Sequence, residues 1–176
     1  MKKIGLMLLV LGLMVFGLTG CGIEAYFNNK GNETTVAEKK LPEMVLNEPF
    51  LVTTVNGDYS VTINGARSTP ERNANSESDP KQVVFLDFTY ENISYEKRNN
   101  MEFFLAQGDF VVTDEEGNIL ETYNIKDPNR MIQETTIGGS CSASLAYGLE
   151  TDSKNITVTF IRGKGKAIAQ ITVPIE

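Results

Sequence analysis

Apolar and polar residues alternate with a period of two through most of the chain after residue 48. The pattern is clearest in Gln82–Glu91, where Val84, Leu86, Phe88 and Tyr90 alternate with positions that begin apolar and end polar. A period of two places successive side chains on opposite faces of a β-strand. This segment is therefore predicted to be a central strand with one face in a core and an outer face that emerges into water.

The same alternation predicts further strands, separated by turn signals such as Asn56-Gly57 and Gly138-Gly139. They cover Phe50–Val55, Tyr59–Ile63, Phe110–Thr113, Ile119–Tyr123, Ser140–Leu149, Asn155–Ile161 and Ala167–Ile175. No convincing amphipathic helix is found. About seven to nine short strands with such turns predict an all-β protein folded as an antiparallel β-sandwich. Its predicted core is Val61, Ile63, Leu86, Phe88, Tyr90, Phe110, Val112, Leu145, Tyr147, Val158, Phe160, Ile171 and Val173.

The first twenty residues have a different pattern. Lys2 and Lys3 precede Ile4–Leu18, which contains no charged residue and ends in small residues. A membrane-spanning helix needs about 20 apolar residues, so this shorter run is typical of a secretory signal peptide. An uncleaved N-terminal membrane helix is the alternative. We predict a signal peptide over 1–20, a flexible tether over 21–47 and one domain over 48–176.

Leu18-Thr19-Gly20-Cys21 ends the apolar run and resembles the lipobox of bacterial lipoproteins. The resemblance implies cleavage before Cys21 and a diacylglycerol on its sulfur. Two acyl chains give stable anchoring, whereas one is marginal. We therefore expect the protein on the extracytoplasmic face of the cell membrane, held there through Cys21. The polar tether that follows is expected to reach about 25–30 Å.

The charge, the histidine count and the cysteine count each exclude a class of function or a structural feature. The chain has a formal net charge of −7, and loss of Lys2 and Lys3 with the signal peptide leaves 14 − 23 = −9. An acidic surface repels nucleic acid, so no nucleic-acid role is expected. The chain contains no histidine, which excludes Ser-His-Asp and Cys-His catalysis within it. After lipidation Cys141 is the remaining thiol, so no disulfide can form within the chain.

The order of the strand motifs resembles a known family. Val83–Asn92, the hairpin from Phe110 to Asn118 and Gly138-Gly139-Ser140 look like the telokin-like, immunoglobulin-fold domain of unknown function found in many Gram-positive lipoproteins. The resemblance covers about residues 48–176. It implies an immunoglobulin-like sandwich and an envelope location, and it carries no catalytic residues.

Three segments are candidates for a metal-binding, reactive or phosphate-binding site. Asp114–Asn118 is either a calcium loop or a solvated hairpin; its consecutive acids lack the alternating ligands that calcium needs. Cys141 is either a reactive thiol or a small packed residue. Gly163–Lys166 lacks phosphate-loop spacing and is interpreted as a turn. No metal or other cofactor is expected, and no catalytic residue is assigned.

Aromatic and loop residues suggest where a partner would bind. Tyr95, Met101, Phe103 and Phe104 either form a partner surface at one end of the sandwich or pack in its core. The loops Ser68–Lys81, Ser94–Met101 and Ile125–Gly138 are expected to face a partner.

The hypothesis is a lipid-anchored extracytoplasmic binding module whose partner is an envelope protein, and not an enzyme. One alternative is a cell-wall enzyme that uses paired carboxylates such as Asp87 with Glu91, or Asp114 with Glu121. The other is a passive or inhibitor-type surface lipoprotein.

Overall fold

The computed structural model describes residues 40–96, 101–162 and 165–176. In this part of the chain, eight strands form two antiparallel sheets, and no residue lies in an α-helix. The strands are β1 (Phe50–Thr54), β2 (Gly57–Thr69), β3 (Gln82–Asn92), β4 (Phe110–Thr113), β5 (Glu121–Thr122), β6 (Ser140–Leu149), β7 (Asn155–Arg162) and β8 (Lys166–Pro174). The predicted antiparallel β-sandwich is confirmed.

The two sheets differ in size. The larger has the order β1-β2-β3-β6-β5, and the smaller has the order β4-β7-β8. β3 is the central strand of the larger sheet, as its long alternating pattern predicted. Phe88 in β3 pairs with Ile63 in β2 and with Ala143 in β6, so three apolar side chains meet on the inner face.

The hydrophobic core lies between the inner faces of the two sheets. Of the thirteen predicted core residues, all are buried except Leu145, which is half-buried and packs against the others. The core also contains Tyr59, Phe103, Leu105 and Met44. The alternating pattern therefore identified most of the core, because one face of each strand points towards the other sheet.

The outer face of β3 is partly covered. Val83 and Phe85 are buried against Tyr123 and Ala146, with Ile125 beside them. Tyr123 and Ile125 belong to the segment after β5, and the Tyr123 N–H donates to the carbonyl of Ala146 in the neighbouring strand β6. This second cluster explains why the outward positions of β3 begin apolar.

β2 is longer than predicted. Its register shifts between Ile63 and Gly65, and the strand then continues to Thr69 opposite Val83. The shift places a β-bulge at Asn64-Gly65. Beyond the bulge, the Ala66 side chain packs in the core and is 2% exposed. Because its neighbours in the sequence are polar, the pattern of apolar residues did not predict that the strand continues.

The prediction that Ile119–Tyr123 returns as one strand was wrong in its second half. Ile119 bridges to Thr113, but the next residues leave β4 and form β5, which pairs with β6 of the other sheet. Leu120 is buried in the core and Tyr123 in the outer cluster. A simple hairpin could not place both side chains in these two separate clusters.

The segment before β1 pairs with β8. Gln170 donates its N–H to the carbonyl of Pro42 and accepts from the N–H of Met44, and Glu43 bridges Gln170 in parallel. Met44 is buried in the core. Because the pairing is parallel, the chain before Pro42 runs back towards Lys166, where β8 begins.

The strand registers define two ends of the sandwich. One end holds the start of β2, the end of β3 and the pair formed by Arg162 and Lys166. The opposite end holds the β2–β3 loop, the β4–β5 loop and the β6–β7 turn. No helix in the described part of the chain is long and apolar enough to cross a membrane. Ile4–Leu18 lies outside the described residues.

Candidate functional site

A broad groove opens at the end that carries the β2–β3 loop, and we call it the acidic groove. Its volume is about 1060 Å³. Three stretches line it: residues 76–81 of the β2–β3 loop, residues 114–124 around the β4–β5 loop and β5, and residues 148–153 of the β6–β7 turn. The floor includes buried Leu120 and Tyr123.

Asp114 holds the β4–β5 loop in place and is 5% exposed. Its Oδ1 accepts the N–H groups of Glu116 (3.0 Å) and Asn118 (2.8 Å). Its Oδ2 accepts the Asn118 side-chain amide (2.9 Å) and the Thr151 hydroxyl (3.0 Å). Burial alone would raise the pKa of Asp114, but these hydrogen bonds outweigh burial and hold the pKa below its ordinary value.

Glu115 joins the β4–β5 loop to β7. Its carboxylate accepts the Lys154 N–H (3.0 Å) and the Asn155 side-chain amide (2.6 Å). The Asn155 amide and the Lys154 N–H lower the pKa of Glu115. Asp114 and Glu115 therefore use their oxygens to build the loop. The hairpin interpretation agrees with these hydrogen bonds. Among the described residues, no three His, Cys, Asp or Glu side chains are placed to hold one metal ion.

Four other carboxylates of the groove have no such partner. No hydrogen bond or ion pair within the described residues involves the side chains of Glu116, Glu121, Glu150 or Asp152. Lys81 is the one cationic residue among those that line this groove. Ile119, 71% exposed, adds an apolar contact to the rim. The groove can therefore attract a cationic group and pack its hydrocarbon part.

The opposite end carries exposed apolar side chains, and we call it the apolar end. It is defined by Val55, Ile93, Met101, Phe104 and Ile137, whose exposures range from 37% for Phe104 to full exposure for Val55. Hydrogen bonds bring their loops together. The Ile93 N–H donates to the Asp58 carbonyl at the base of the β1–β2 turn, and the Gly138 N–H donates to the Asn92 carbonyl.

An aromatic cluster supports the apolar end from below. Tyr59 contacts Tyr95 and Phe103, with ring centroids 5.9 and 4.6 Å away. The Arg162 guanidinium lies 4.7 Å from the Tyr59 centroid and binds Asp109 at 3.1 Å. Burial raises the pKa of Tyr59 even though Arg162 opposes the shift, so its hydroxyl stays neutral. The cluster makes a firm base for the exposed side chains above it.

Asn92 ties the loops of the apolar end together and is fully buried. Its side-chain amide donates to the carbonyls of Tyr95 (3.0 Å) and Thr135 (3.2 Å). Its side-chain oxygen Oδ1 accepts the Tyr95 N–H at 2.7 Å. Nearby, Gly57 has φ +118°, and a Cβ there would lie 2.1 Å from the Ser94 carbonyl oxygen. Only glycine fits that close approach.

A polar network lies on the outer face of the larger sheet. Arg67 binds Asp87 at 2.9 Å and Asp127 at 2.5 Å, and its guanidinium stacks 4.4 Å from the Phe85 ring. Ser144 also donates to Asp87. Asp87 is thus a structural partner of Arg67. Glu91 lies four residues along the same strand, about 13 Å away, so this pair is too far apart for paired-carboxylate chemistry, which needs about 5–9 Å.

The second carboxylate pair, Asp114 and Glu121, does line one groove. However, both oxygens of Asp114 are occupied by four hydrogen bonds. A carboxylate held in this way is a poor proton donor, because its pKa is lowered. The groove therefore brings the predicted pair to one place without giving it acid–base geometry.

The predicted partner loops do not share one surface. Ser68–Lys81 borders the acidic groove, whereas the described part of Ser94–Met101 lies at the apolar end. Ile125–Gly138 runs along β6 between the two ends. The backbone N–H of Ser144 donates to the carbonyl of Arg130, and the N–H of Gly138 donates to the carbonyl of Asn92. Consecutive antiparallel strands place successive loops at opposite ends of a sheet. The predicted strand order along the chain could therefore have indicated that these loops do not share one surface.

The aromatic residues predicted at one end do lie together. Phe103 is buried and Tyr95 is half-buried, whereas Met101 and Phe104 are exposed. Core packing is therefore confirmed for Phe103, whereas a partner surface at Met101 and Phe104 stays a prediction. Cys141 is buried, and its thiol donates to the Met131 carbonyl at 3.5 Å, as a packed residue would.

Other predicted sites cannot be placed. Leu18, Thr19, Gly20 and Cys21 lie outside the described residues, as do residues 97–100 and 163–164. The lipidation site therefore stays a prediction. Sequence reasoning missed the acidic groove, because Glu121, Glu150 and Asp152 come from separate strands and turns and carry no common motif.

Comparisons with known proteins concern the fold. No protein-family model matches the sequence, and no curated protein matches it significantly. A secreted protein from Mycobacterium tuberculosis, MPT63, is similar in structure, with a TM-score of 0.57 and 11% identity over 76% of this chain and 98% of that chain. A candidate lipoprotein from Bacillus subtilis subsp. subtilis strain 168, ycdA, gives a TM-score of 0.51 and 11% identity. That match covers 74% of this chain and 39% of the ycdA chain. Both matches show the same β-sandwich fold.

Proposed function

We propose that the protein is a lipid-anchored binding module on the extracytoplasmic face of the cell membrane, and that its acidic groove holds a cationic segment of an envelope protein. The observation that carries the proposal is an open groove of about 1060 Å³ with four carboxylates, Glu116, Glu121, Glu150 and Asp152, that have no hydrogen bond or ion pair to any described residue. Clustered charge of one sign in a cleft attracts ligands of the opposite sign and raises their local concentration.

The location in this proposal is supported from two sides. The lipobox-like sequence ends in Cys21, and the same fold occurs in a secreted protein and in a candidate lipoprotein. The groove itself favours binding over catalysis. Asp114 and Glu115 are occupied in holding the loop, and the other carboxylates lie on a rim that is open to water. A Lys- or Arg-rich segment could pair with the rim while its methylene groups pack on exposed Ile119.

The test uses the full chain in its native bacterial host. A photo-crosslinking residue replaces Ile119 at the groove, and a matched one replaces Leu51, which is 59% exposed on β1. We expect a specific protein adduct from position 119 and none from position 51. Combining the crosslinker with Glu121→Lys, Glu150→Lys and Asp152→Lys should abolish the adduct. Raising the ionic strength should weaken it.

The charge-matched control replaces three acids away from the groove: Glu48→Lys, Glu91→Lys and Glu134→Lys, all exposed. This control should keep the adduct. An adduct that survives the groove substitutions, or one lost equally in the control, would contradict the proposed site. A Cys21→Ala form tests the anchor separately, since it should leave the membrane fraction while the groove remains intact.

A further inference from the structure

We propose that the apolar end docks on the surface of the lipid bilayer, so that the acidic groove points away from the membrane. The inference rests on the lipid anchor in the proposed function and adds a second contact to it. Five of the nine large hydrophobic side chains exposed in the described part of the chain lie at this end. An apolar group gathered in this way marks an interaction surface, whereas single exposed residues need no explanation.

The loops that carry these side chains are held before any contact is made. The Glu96 N–H donates to the Asn56 carbonyl, and the Ile93 N–H donates to the Asp58 carbonyl. The buried Asn92 side chain joins the loop after β3 to the loop before β6, because its amide donates to the carbonyls of Tyr95 and Thr135. A surface that is already ordered loses little conformational entropy when it is buried. The apolar end is therefore suited to a shallow contact.

The path of the chain indicates which surface covers this end. Pro42–Met44 pairs in parallel with Gln170, so the chain before Pro42 runs back towards the start of β8. That start is paired with Arg162, which belongs to the aromatic base of the apolar end. The chain thus leaves the sandwich in the direction of the apolar end.

The length of chain between the anchor and the sandwich agrees with this orientation. Eighteen residues lie between Cys21 and Lys40, and a polar segment of that length would have an r.m.s. reach of about 25 Å if it is the flexible tether that the sequence predicts. β3, with eleven residues, is about 35 Å long. Such a tether brings the near end of the sandwich to the bilayer more readily than the far end. It also holds the domain at an effective concentration on the order of millimolar, at which a weak contact is populated.

The charges at this end indicate the kind of lipid contact. The described charges at this end have both signs: Glu96 and Lys166 are both exposed, and Lys166 pairs with Arg162. The proposed contact therefore depends on the apolar side chains. We expect apolar insertion into the interface, to a depth of about 5–10 Å, on neutral lipid. Because the acidic groove lies at the opposite end of the sandwich, its carboxylates stay in water.

The test uses tryptophan fluorescence, because the chain contains no tryptophan. Val55→Trp places a reporter at the apolar end, and Ile119→Trp places a matched one at the groove; both native residues are highly exposed. The full, lipidated chain is reconstituted in phosphatidylcholine vesicles with or without brominated acyl chains. We expect the bromolipid to quench the reporter at position 55 at least about twofold, given the expected depth. The reporter at position 119 should be unchanged.

A second variant separates docking from the tendency of tryptophan itself to enter the interface. Phe104→Asp with Ile137→Asp, added to Val55→Trp, should abolish the quenching while the protein still floats with the vesicles. Equal quenching at both positions, or an unquenched Val55→Trp in protein that floats, would overturn the docking alone. A protein that does not float would overturn the anchor and the docking together. A position 55 that is unquenched in vesicles but shielded in native membranes would assign this end to a protein partner instead.

Discussion

Replacing Asn92 with alanine tests whether hydrogen bonds hold the loops of the apolar end. The side chain is fully buried and makes three hydrogen bonds, two to Tyr95 and one to Thr135. Each contributes about 0.5–1.5 kcal/mol net. Their joint loss should lower the free energy of unfolding by about 2–4 kcal/mol, a large part of the 5–15 kcal/mol that is usual for a domain.

The assay is equilibrium unfolding in urea at pH 7. With a denaturant slope of about 1–3 kcal/mol per molar, the midpoint should fall by about 1–2 M. Asn56→Ala is the matched control, because its side chain is exposed and makes one long contact of 3.5 Å. That control should change the unfolding free energy by no more than about 0.5 kcal/mol.

Asn92→Asp distinguishes lost hydrogen bonds from lost packing. The introduced carboxylate keeps the shape of asparagine but faces the two carbonyls that the amide served. We expect it to be at least as destabilising as Asn92→Ala at pH 7. Burial and these carbonyls should raise the pKa of the new carboxyl, so its penalty should shrink as the pH falls towards 4. A near-normal stability for Asn92→Asp at pH 7 would refute the hydrogen-bond argument.

Three further predictions concern the groove end, the outer face and the tight turn. Asp114 has a lowered pKa in the folded state, so its stabilising contribution is present above the unfolded value of about 3.9 and is lost as the pH falls through the folded value. Acid titration of unfolding should therefore show a shallower loss of stability in Asp114→Asn, and an unchanged slope would count against this role. Arg67→Ala should cost about 1–2 kcal/mol in thermal or urea unfolding, because it leaves buried Asp87 without its ion pair. Arg67 is 37% exposed, which limits the loss. Gly57→Ala should cost about 3 kcal/mol or prevent folding, since φ is +118° and the new Cβ meets the loop after β3. Gly65→Ala has open space and should stay within about 1 kcal/mol of the parent.

The fold was predictable where one pattern decided it. Residues 140–149 alternate without interruption, and β6 has these bounds. In β2, by contrast, the period of two breaks at Asn64, and the sequence does not show that Ala66 returns to the core. Such a bulge is decided by pairing with β3, which local sequence does not encode.

The site was less predictable than the fold for the same physical reason. In the sequence, Asp114 is one of several acidic residues in a turn. Only its four hydrogen bonds distinguish it from Glu116, whose side chain has no partner among the described residues. Likewise, Arg67, Asp87 and Asp127 are 20 to 60 residues apart along the chain. Their contact depends on which strands are neighbours, and a single sequence does not give strand order.

The opposite character of the two ends follows from the antiparallel architecture. β3 carries the chain from the β2–β3 loop, which lines the acidic groove, to Ile93 at the apolar end. Its eleven residues span about 35 Å, several times the Debye length of about 8 Å at physiological ionic strength. With the apolar end on the bilayer, the groove carboxylates lie beyond the electrostatic reach of the headgroups. In this proposed orientation, the attraction of the groove for a cationic partner would depend on the groove alone, and the sandwich would act as a spacer between the anchor and the binding site.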